Sequence, residues 1–300
     1  MAKYIIKRIL WLIPICLGVI FIVFIIMAMA PGDPVYAILG STASPEAYAA
    51  KRHELGLDHS VLYQFGVYLK NVILHFDLGT SYADGRAVTG IIMERFPTTL
   101  KLGILGIIVP VIIGIPLGII AAVNQGRIAD RVISVLSLVF ASMPDFWYSL
   151  ILMLLFAGAL HLFPASYNGS AASWVMPVAA VSGGAVAMLT RMTRSSMLDV
   201  IRQDYIRTSR AKGLSEVVII FKHALKNALI PVLTTLGVQM GNVMAGSIVV
   251  EQLFNIPGMG TMMYGAISNQ NYPIVRGAAA FLAIFICGIN LIIDIIYALV

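Results

Sequence analysis

Charge is what this sequence has least of. Asp, Glu, Lys and Arg make up only 11% of its 300 residues, against 59% hydrophobic, whereas soluble globular domains carry about 25% charged and 45–50% apolar residues. That balance excludes an ordinary soluble domain and, equally, a disordered chain. Cysteine is nearly absent: Cys16 and Cys287 lie in apolar runs 271 positions apart, a spacing that offers neither a disulfide framework nor a paired-cysteine metal site. The formal charge of +6 cannot mark a nucleic-acid binder until the positions of the charges are known. Where the basic residues sit matters more than how many there are.

Catalytic signatures are missing as well. No Gly-Lys dipeptide occurs anywhere, which excludes the phosphate-cradling pattern G-x-x-x-x-G-K-[ST]. His53-Glu54-Leu55-Gly56-Leu57 starts like the zinc-protease pattern H-E-x-x-H. Leu57, however, stands where the second ligand belongs, and His59 is displaced to the wrong face. There is no G-x-S-x-G elbow, and Asn168-Gly169-Ser170 is a glycosylation pattern only three residues long. The sequence predicts no catalytic residue, no metal site and no cofactor of its own.

What it has in quantity is long apolar runs. A hydrocarbon core about 30 Å thick is crossed by roughly 20 residues of helix. Residues 9–30 and 102–123 are each 22 residues without a charge. Residues 132–162 form a longer run interrupted by Asp145 directly after Pro144, which reads as a kinked or tilted span. Residues 174–190 are short and rich in small side chains, residues 229–250 are uncharged, and residues 278–300 carry only Asp294. An all-α, polytopic membrane protein with six transmembrane helices is expected. The first run follows a basic start (Lys3, Lys7, Arg8) and ends in Ala28-Met29-Ala30, like a signal peptide. It is about twice the usual apolar core of such a signal, so a retained anchor is predicted.

Orientation follows from the basic residues. With the N-terminus inside, residues 1–8, 124–131 and 191–228 hold 13 Lys/Arg against 4 acids, and residues 31–98 hold 5 against 7. Both termini are therefore predicted to be cytoplasmic.

Between the spans, Pro31-Gly32-Asp33-Pro34 marks a strong turn. Residues 46–55 look helical after Ser44-Pro45. Residues 61–76 place Leu62, Phe65, Leu69, Val72 and Phe76 at helical spacing, as an amphipathic helix would. The inner segment 191–228 is too polar to be embedded and too long for a turn. Residues 197–210 read as one helix, Lys212-Gly213 interrupts it, and Ser215 is placed to cap a second helix running towards Pro231. This helix–Gly–helix elbow offers a docking surface; the alternative is a basic amphipathic helix resting on anionic lipid. Residues 251–277, with Pro257-Gly258-Met259-Gly260 and Tyr272-Pro273, look like a re-entrant or capping loop. No internal repeat is apparent. Two regions follow, residues 1–98 and a five-helix core of residues 99–300.

Ionisable residues inside spans are expensive and point to function. Asp145 is either a cation site in a pathway that includes Ser142 and Pro144, or a cap for the helix restarting after Pro144. Gly103, Gly106, Pro110, Gly114 and Gly118 in the second span, and Ala179, Gly183 and Ala187 in the fourth, allow close helix approach.

The run Asp204-Tyr205-Ile206-Arg207-Thr208-Ser209-Arg210-Ala211-Lys212-Gly213-Leu214, followed by Lys222-His223-Ala224-Leu225-Lys226-Asn227-Ala228-Leu229-Ile230-Pro231, resembles the cytoplasmic coupling motif of bacterial ABC-importer permeases. More narrowly, it resembles the dipeptide/oligopeptide/nickel permease family. Matches extend to Leu55-Gly56-Leu57-Asp58, Asp77-Leu78-Gly79-Thr80-Ser81, Ser142-Met143-Pro144 and Phe254-Asn255-Ile256-Pro257-Gly258-Met259-Gly260. Arg207-Thr208-Ser209 stand where the general permease motif has Glu-Ala-Ala, which narrows the resemblance to this subfamily. The resemblance implies a permease subunit, not an enzyme. Its expected partners are a second, similar permease, two ATPase subunits carrying ATP and Mg, and an extracytoplasmic binding protein. It also implies that Arg207, Thr208, Ser209, Arg210, Ala211, Lys212, Gly213, Leu214, His223 and Asn227 form the ATPase-coupling surface. Dipeptides or oligopeptides are the expected cargo, with nickel, a metal chelate or glutathione as alternatives. A stand-alone secondary transporter is disfavoured by the lack of repeats.

Overall fold

The computed structural model describes residues 2–30, 32–40 and 42–299, without the side chains of 2–9, 245, 246, 294 and 296–299. Pro31 of the first turn and the side chains of the basic residues Lys3, Lys7 and Arg8 and of Asp294 lie outside what is described. Most of the described chain is helical, and among the described residues the extended structure is a single isolated bridge between Thr80 and Ala87. In chain order the helices are α1 (Ala2–Met29), α2 (Pro34–Leu39), α3 (Pro45–Glu54), α4 (Val61–His75), α5 (Val88–Val109), α6 (Ile115–Val123) and α7 (Ile128–Ser142). They continue with α8 (Asp145–Leu152), α9 (Val175–Ile201), α10 (Asp204–Ala211), α11 (Glu216–Val218), α12 (Leu225–Leu253), α13 (Met259–Ser268) and α14 (Tyr272–Leu299). Five stretches are long and apolar enough to cross a membrane, and the α7–α8 pair makes a sixth if it counts as one broken span.

The chain divides into two compact units, one of Met1–Thr98 with Pro257–Leu291, the other of Thr99–Ile256 with Ile292–Val300. In the first, short helices start where the sequence supplies both a cap and a proline. Asp33 Oδ1 accepts from the Val35 amide at 2.8 Å ahead of Pro34, and Ser44 Oγ accepts from the Ala47 amide at 3.2 Å ahead of Pro45. Helix α4 packs on α1 through Phe65, whose ring meets Phe21 and Phe24 edge-on at 5.1 and 5.4 Å. The half-buried side of α4 includes Phe65, Tyr68, Leu69 and Val72. Leu62 and Phe76, expected on that stripe, are instead exposed, because one apolar partner helix covers only a narrow strip.

Residues 251–277 are corrected from a loop to a helical segment. Met259 and Ala266 of α13 are buried in one cluster with Val88, Ile92, Tyr272, Val275 and Ala278, so apolar contacts order a stretch whose Pro and Gly residues suggested irregularity. Asn271 ties its end to the 79–87 loop, donating to Ser81 Oγ at 2.9 Å and accepting from the Tyr82 amide at 3.1 Å. Cys16 and Cys287, distant in sequence, are near neighbours where α1 and α14 pack.

In the second unit α9 is the central element, flanked by α6, α7, α8 and α12. Glycines set the closest approach. A β-carbon on Gly114 would lie 3.0 Å from the Val186 carbonyl oxygen, and one on Gly118 would lie 2.7 Å from the Thr190 carbonyl oxygen and 2.5 Å from Thr193 Cβ. Between α5 and α6 the chain makes a π-helical turn, Pro110–Gly114. Pro110 and Pro116 each lack an amide hydrogen, and the wider turn accommodates their rings without breaking the span.

Two sequence boundaries shift. The fourth span runs past Thr190 to Ile201, because a charge ends an apolar run without ending a helix; Thr193, Ser196 and Met197 beyond Arg191 are still buried. Residues 197–210 are not one helix, since α9 stops at Ile201 and α10 begins at Asp204 after an extended Gln203.

Candidate functional site

The elbow is built on Ile206. This side chain is fully buried among Met197, Ile219, Ile220 and Ala224, and it fixes α10 beneath the ends of α6, α9 and α12. Around that anchor the rest of the elbow faces outward: Arg207, Thr208, Arg210, Ala211, Lys212, Gly213 and Leu214 are all exposed. The Thr208 and Ser209 hydroxyls donate back to the carbonyls of Asp204 and Tyr205 at 3.0 and 2.8 Å, so they are satisfied within the helix. Gly213 sits at φ +76° with open space around it. Its role is conformational: a left-handed turn that an L side chain resists.

The chain then turns upward through α11 and a π-helical turn, Ile219–Ala224, into α12. Ser215 occupies the cap position without a side-chain cap bond. Arg210 closes the turn instead, donating from Nε and Nη2 to the two carboxylate oxygens of Glu216 at 2.7 and 3.2 Å. Asn227 Nδ2 donates to the Tyr205 hydroxyl at 2.7 Å, linking the two arms, and His223 lies half-buried in the π turn. Of the three basic residues, Arg210 is thus committed internally. Arg207 has only a loose, exposed contact with Asp204 at 3.7 Å, and Lys212 makes no ion pair among the described residues.

Asp130 and Arg194, at the neighbouring ends of α7 and α9, were not singled out from the sequence. Asp130 is buried, takes two hydrogen bonds from Arg194, and accepts from the Gly126 amide at 2.9 Å and Ser134 Oγ at 3.3 Å. Only their opposite charges hinted at the pair, since 64 residues separate them.

The second region lies where α7 gives way to α8. The two helices meet at 108°, a far sharper bend than the kink expected after Pro144. Pro144 is itself the cap residue of α8, with extended backbone, and no side chain caps the helix. That corrects the capping role considered for Asp145. Its carboxylate makes no hydrogen bond or ion pair among the described residues, and it lines a cavity of about 270 Å³. Gln239 and Asn242 of α12 line the same cavity, with Gly184, Ala185 and Met188 of α9 among its apolar surfaces. Asn242 Nδ2 donates to Gln239 Oε1 at 2.9 Å. This polar pair, three residues apart in an uncharged span, was the sequence signal that the reading of charges alone passed over. Ser142 points elsewhere: its hydroxyl donates to the Leu138 carbonyl at 2.8 Å, and neither it nor Pro144 lines the cavity.

Comparison with known proteins comes from three directions. The family described as binding-protein-dependent transport system inner membrane component matches residues 114–300, and its N-terminal companion matches residues 1–103. A Brucella abortus protein named "Putative peptide transport system permease protein" is 37% identical, covering 100% of this chain and 98% of that protein. The glutathione transport system permease protein GsiC of Salmonella typhimurium is 38% identical over 99% of this chain and 97% of its own length. In fold, the chain is similar to a chain of the MetNI methionine ABC transporter in an inward-facing conformation. That likeness has a TM-score of 0.56 at 18% identity and covers 70% of this chain and 96% of the other. An amino acid ABC transporter with histidines gives a TM-score of 0.57 at 14% identity, over 71% and 95%.

Proposed function

The chain belongs to the binding-protein-dependent transport system inner membrane component family, as a multi-pass permease subunit of a bacterial ABC importer, and from that premise we propose how it couples and what it carries. The elbow docks an ATPase subunit. The observation that carries this reading is its construction: Ile206 pins α10 to the membrane unit, while Arg207, held only loosely by Asp204, and Lys212 stand exposed just ahead of the turn at Gly213. An exposed cationic elbow with an apolar root transmits force, because the root moves with α9 and α12.

The chain contributes half of the translocation pathway and a second, similar permease the other half. Two ATPase subunits bind ATP and Mg, and an extracytoplasmic binding protein delivers cargo. ATP binding drives the ATPases together and favours one arrangement of the elbows, and so one of two pathway conformations. The elbow end faces the cytoplasm, consistent with the concentration of Lys and Arg there.

The cargo is a short peptide. Two relatives above 35% identity are named for peptide and glutathione transport, and glutathione is itself a tripeptide. Glutathione is the second reading within that class.

Cross-linking tests the docking. With Lys212→Cys or Arg207→Cys in the assembled importer, a short thiol-to-amine reagent joins this chain to an ATPase subunit, whereas Leu62→Cys gives no such product. Failure at both elbow positions, with the complex intact, contradicts the assignment.

A further inference from the structure

We propose that Asp145, Gln239 and Asn242 form a subsite for a protonated amine carried by the cargo, an inference that rests on the permease reading above. A carboxylate drawn half out of water is costly unless something compensates it. Asp145 has no such compensation inside the chain: it neither caps α8 nor pairs with a cation among the described residues. Among the described residues no Lys, Arg or His lines the cavity, so an ionised Asp145 gives the site one net negative charge. The two carboxamides add neutral acceptor capacity. Asn242 spends one N–H on Gln239, which leaves the Asn242 carbonyl oxygen open to a second donor. One carboxylate with carboxamide oxygens matches an ammonium group, which has three donors and no acceptor.

Size restricts the occupant further. About 270 Å³ is smaller than the roughly 300–1,000 Å³ of a pocket that encloses a whole drug-sized ligand. The cavity therefore holds one charged group of a longer molecule and leaves the remainder outside. Gly184 lies beside the acid, where even a β-carbon would make only ordinary contact, 3.9 Å from Asp145 Oδ1. The ammonium has two sources in a peptide, its amino terminus and a lysine side chain.

The test is uptake into vesicles by the complete importer, using tri-alanine, N-acetyl-tri-alanine, and N-acetyl-tri-alanine with its last residue changed to lysine. Wild-type complex is compared with Asp145→Asn and Asp145→Glu. The binding protein is the same throughout, so its own selection cancels in the variant-to-wild-type ratio for each peptide. Asp145→Asn is expected to lower kcat/KM about tenfold for any peptide whose ammonium uses the site, in keeping with the loss of a charged hydrogen bond. It leaves N-acetyl-tri-alanine within about twofold, and Asp145→Glu recovers most of the loss. A loss confined to tri-alanine assigns the site to the amino terminus, and a loss that includes the lysine peptide extends it to side chains. An equal loss for all three peptides, or none, overturns the subsite while leaving the permease reading in place. Wild-type complex that hydrolyses ATP but carries none of the peptides overturns both.

Discussion

Asp130 meets Arg194 side-on, with Arg194 Nε 2.5 Å from one carboxylate oxygen of Asp130 and Nη2 2.9 Å from the other. The acid is nearly fully buried while the arginine side chain is 31% exposed, so the two partners do not respond alike to loss of the other. Removing Arg194 strands a buried carboxylate, which keeps only its bonds from Gly126 and Ser134. Removing Asp130 leaves a guanidinium that water can reach. Arg194→Ala should therefore destabilise the chain by about 2–3 kcal/mol and Asp130→Ala by less, with a double variant costing less than Arg194→Ala alone because no charge is then stranded. Thermal unfolding of the three variants in detergent measures this; equal costs that add would contradict a shared bond.

Glycine packing makes a paired prediction. A β-carbon at Gly118 would press on the backbone oxygen of Thr190, which cannot move away, whereas at Gly103 it would meet the tip of Met244, which can. Gly118→Ala is expected to cost about 1–3 kcal/mol and Gly103→Ala well under 1 kcal/mol. The same unfolding assay separates them.

On the 31–98 segment His53 Nδ1 lies 2.6 Å from Asp58 Oδ2, and this contact holds the histidine above its ordinary pKa and the aspartate below its own. The sign follows from linkage. The histidine contribution is complete below its unfolded value of about 6.5 and is lost as pH rises through the higher folded value; the aspartate contribution is lost as pH falls through its depressed folded value. Titration of His53 by NMR should give a midpoint above that of a free histidine, and Asp58→Asn should return it to about 6.5.

Cys16 and Cys287 supply a check on the pairing of α1 with α14. Mild oxidation of the detergent-solubilised protein should yield a peptide pair joined through these two residues by mass spectrometry. A monomer that keeps both thiols free after oxidation would contradict that packing.

Much of this was legible in the chain because membrane spans and turn chemistry are local. The apolar run of residues 9–30, the Ser44-Pro45 start of α3 and the left-handed Gly213 each depend on a few neighbouring residues, and each lies where its pattern placed it. Pairings across the fold were not legible. Nothing near Asp130 in sequence names Arg194, and nothing near Arg210 distinguishes a free cation from one bound to Glu216. The α9 boundary was misjudged for a related reason: hydropathy reports where lipid would be tolerated, while the helix persists wherever packing continues, here to Ile201. The role of Asp145 was undecided between cap and cation site because the cap depends on a backbone angle at Pro144 that sequence does not fix.

The central claim is that the Gly213 turn transmits ATPase motion to the spans, and one substitution addresses it directly. Proline holds φ near −65° and cannot adopt the +76° of Gly213. In the reconstituted importer, Gly213→Pro should leave the chain in the membrane and the complex assembled while abolishing cargo-stimulated ATP hydrolysis. Stimulation equal to wild type in that complex would contradict the account.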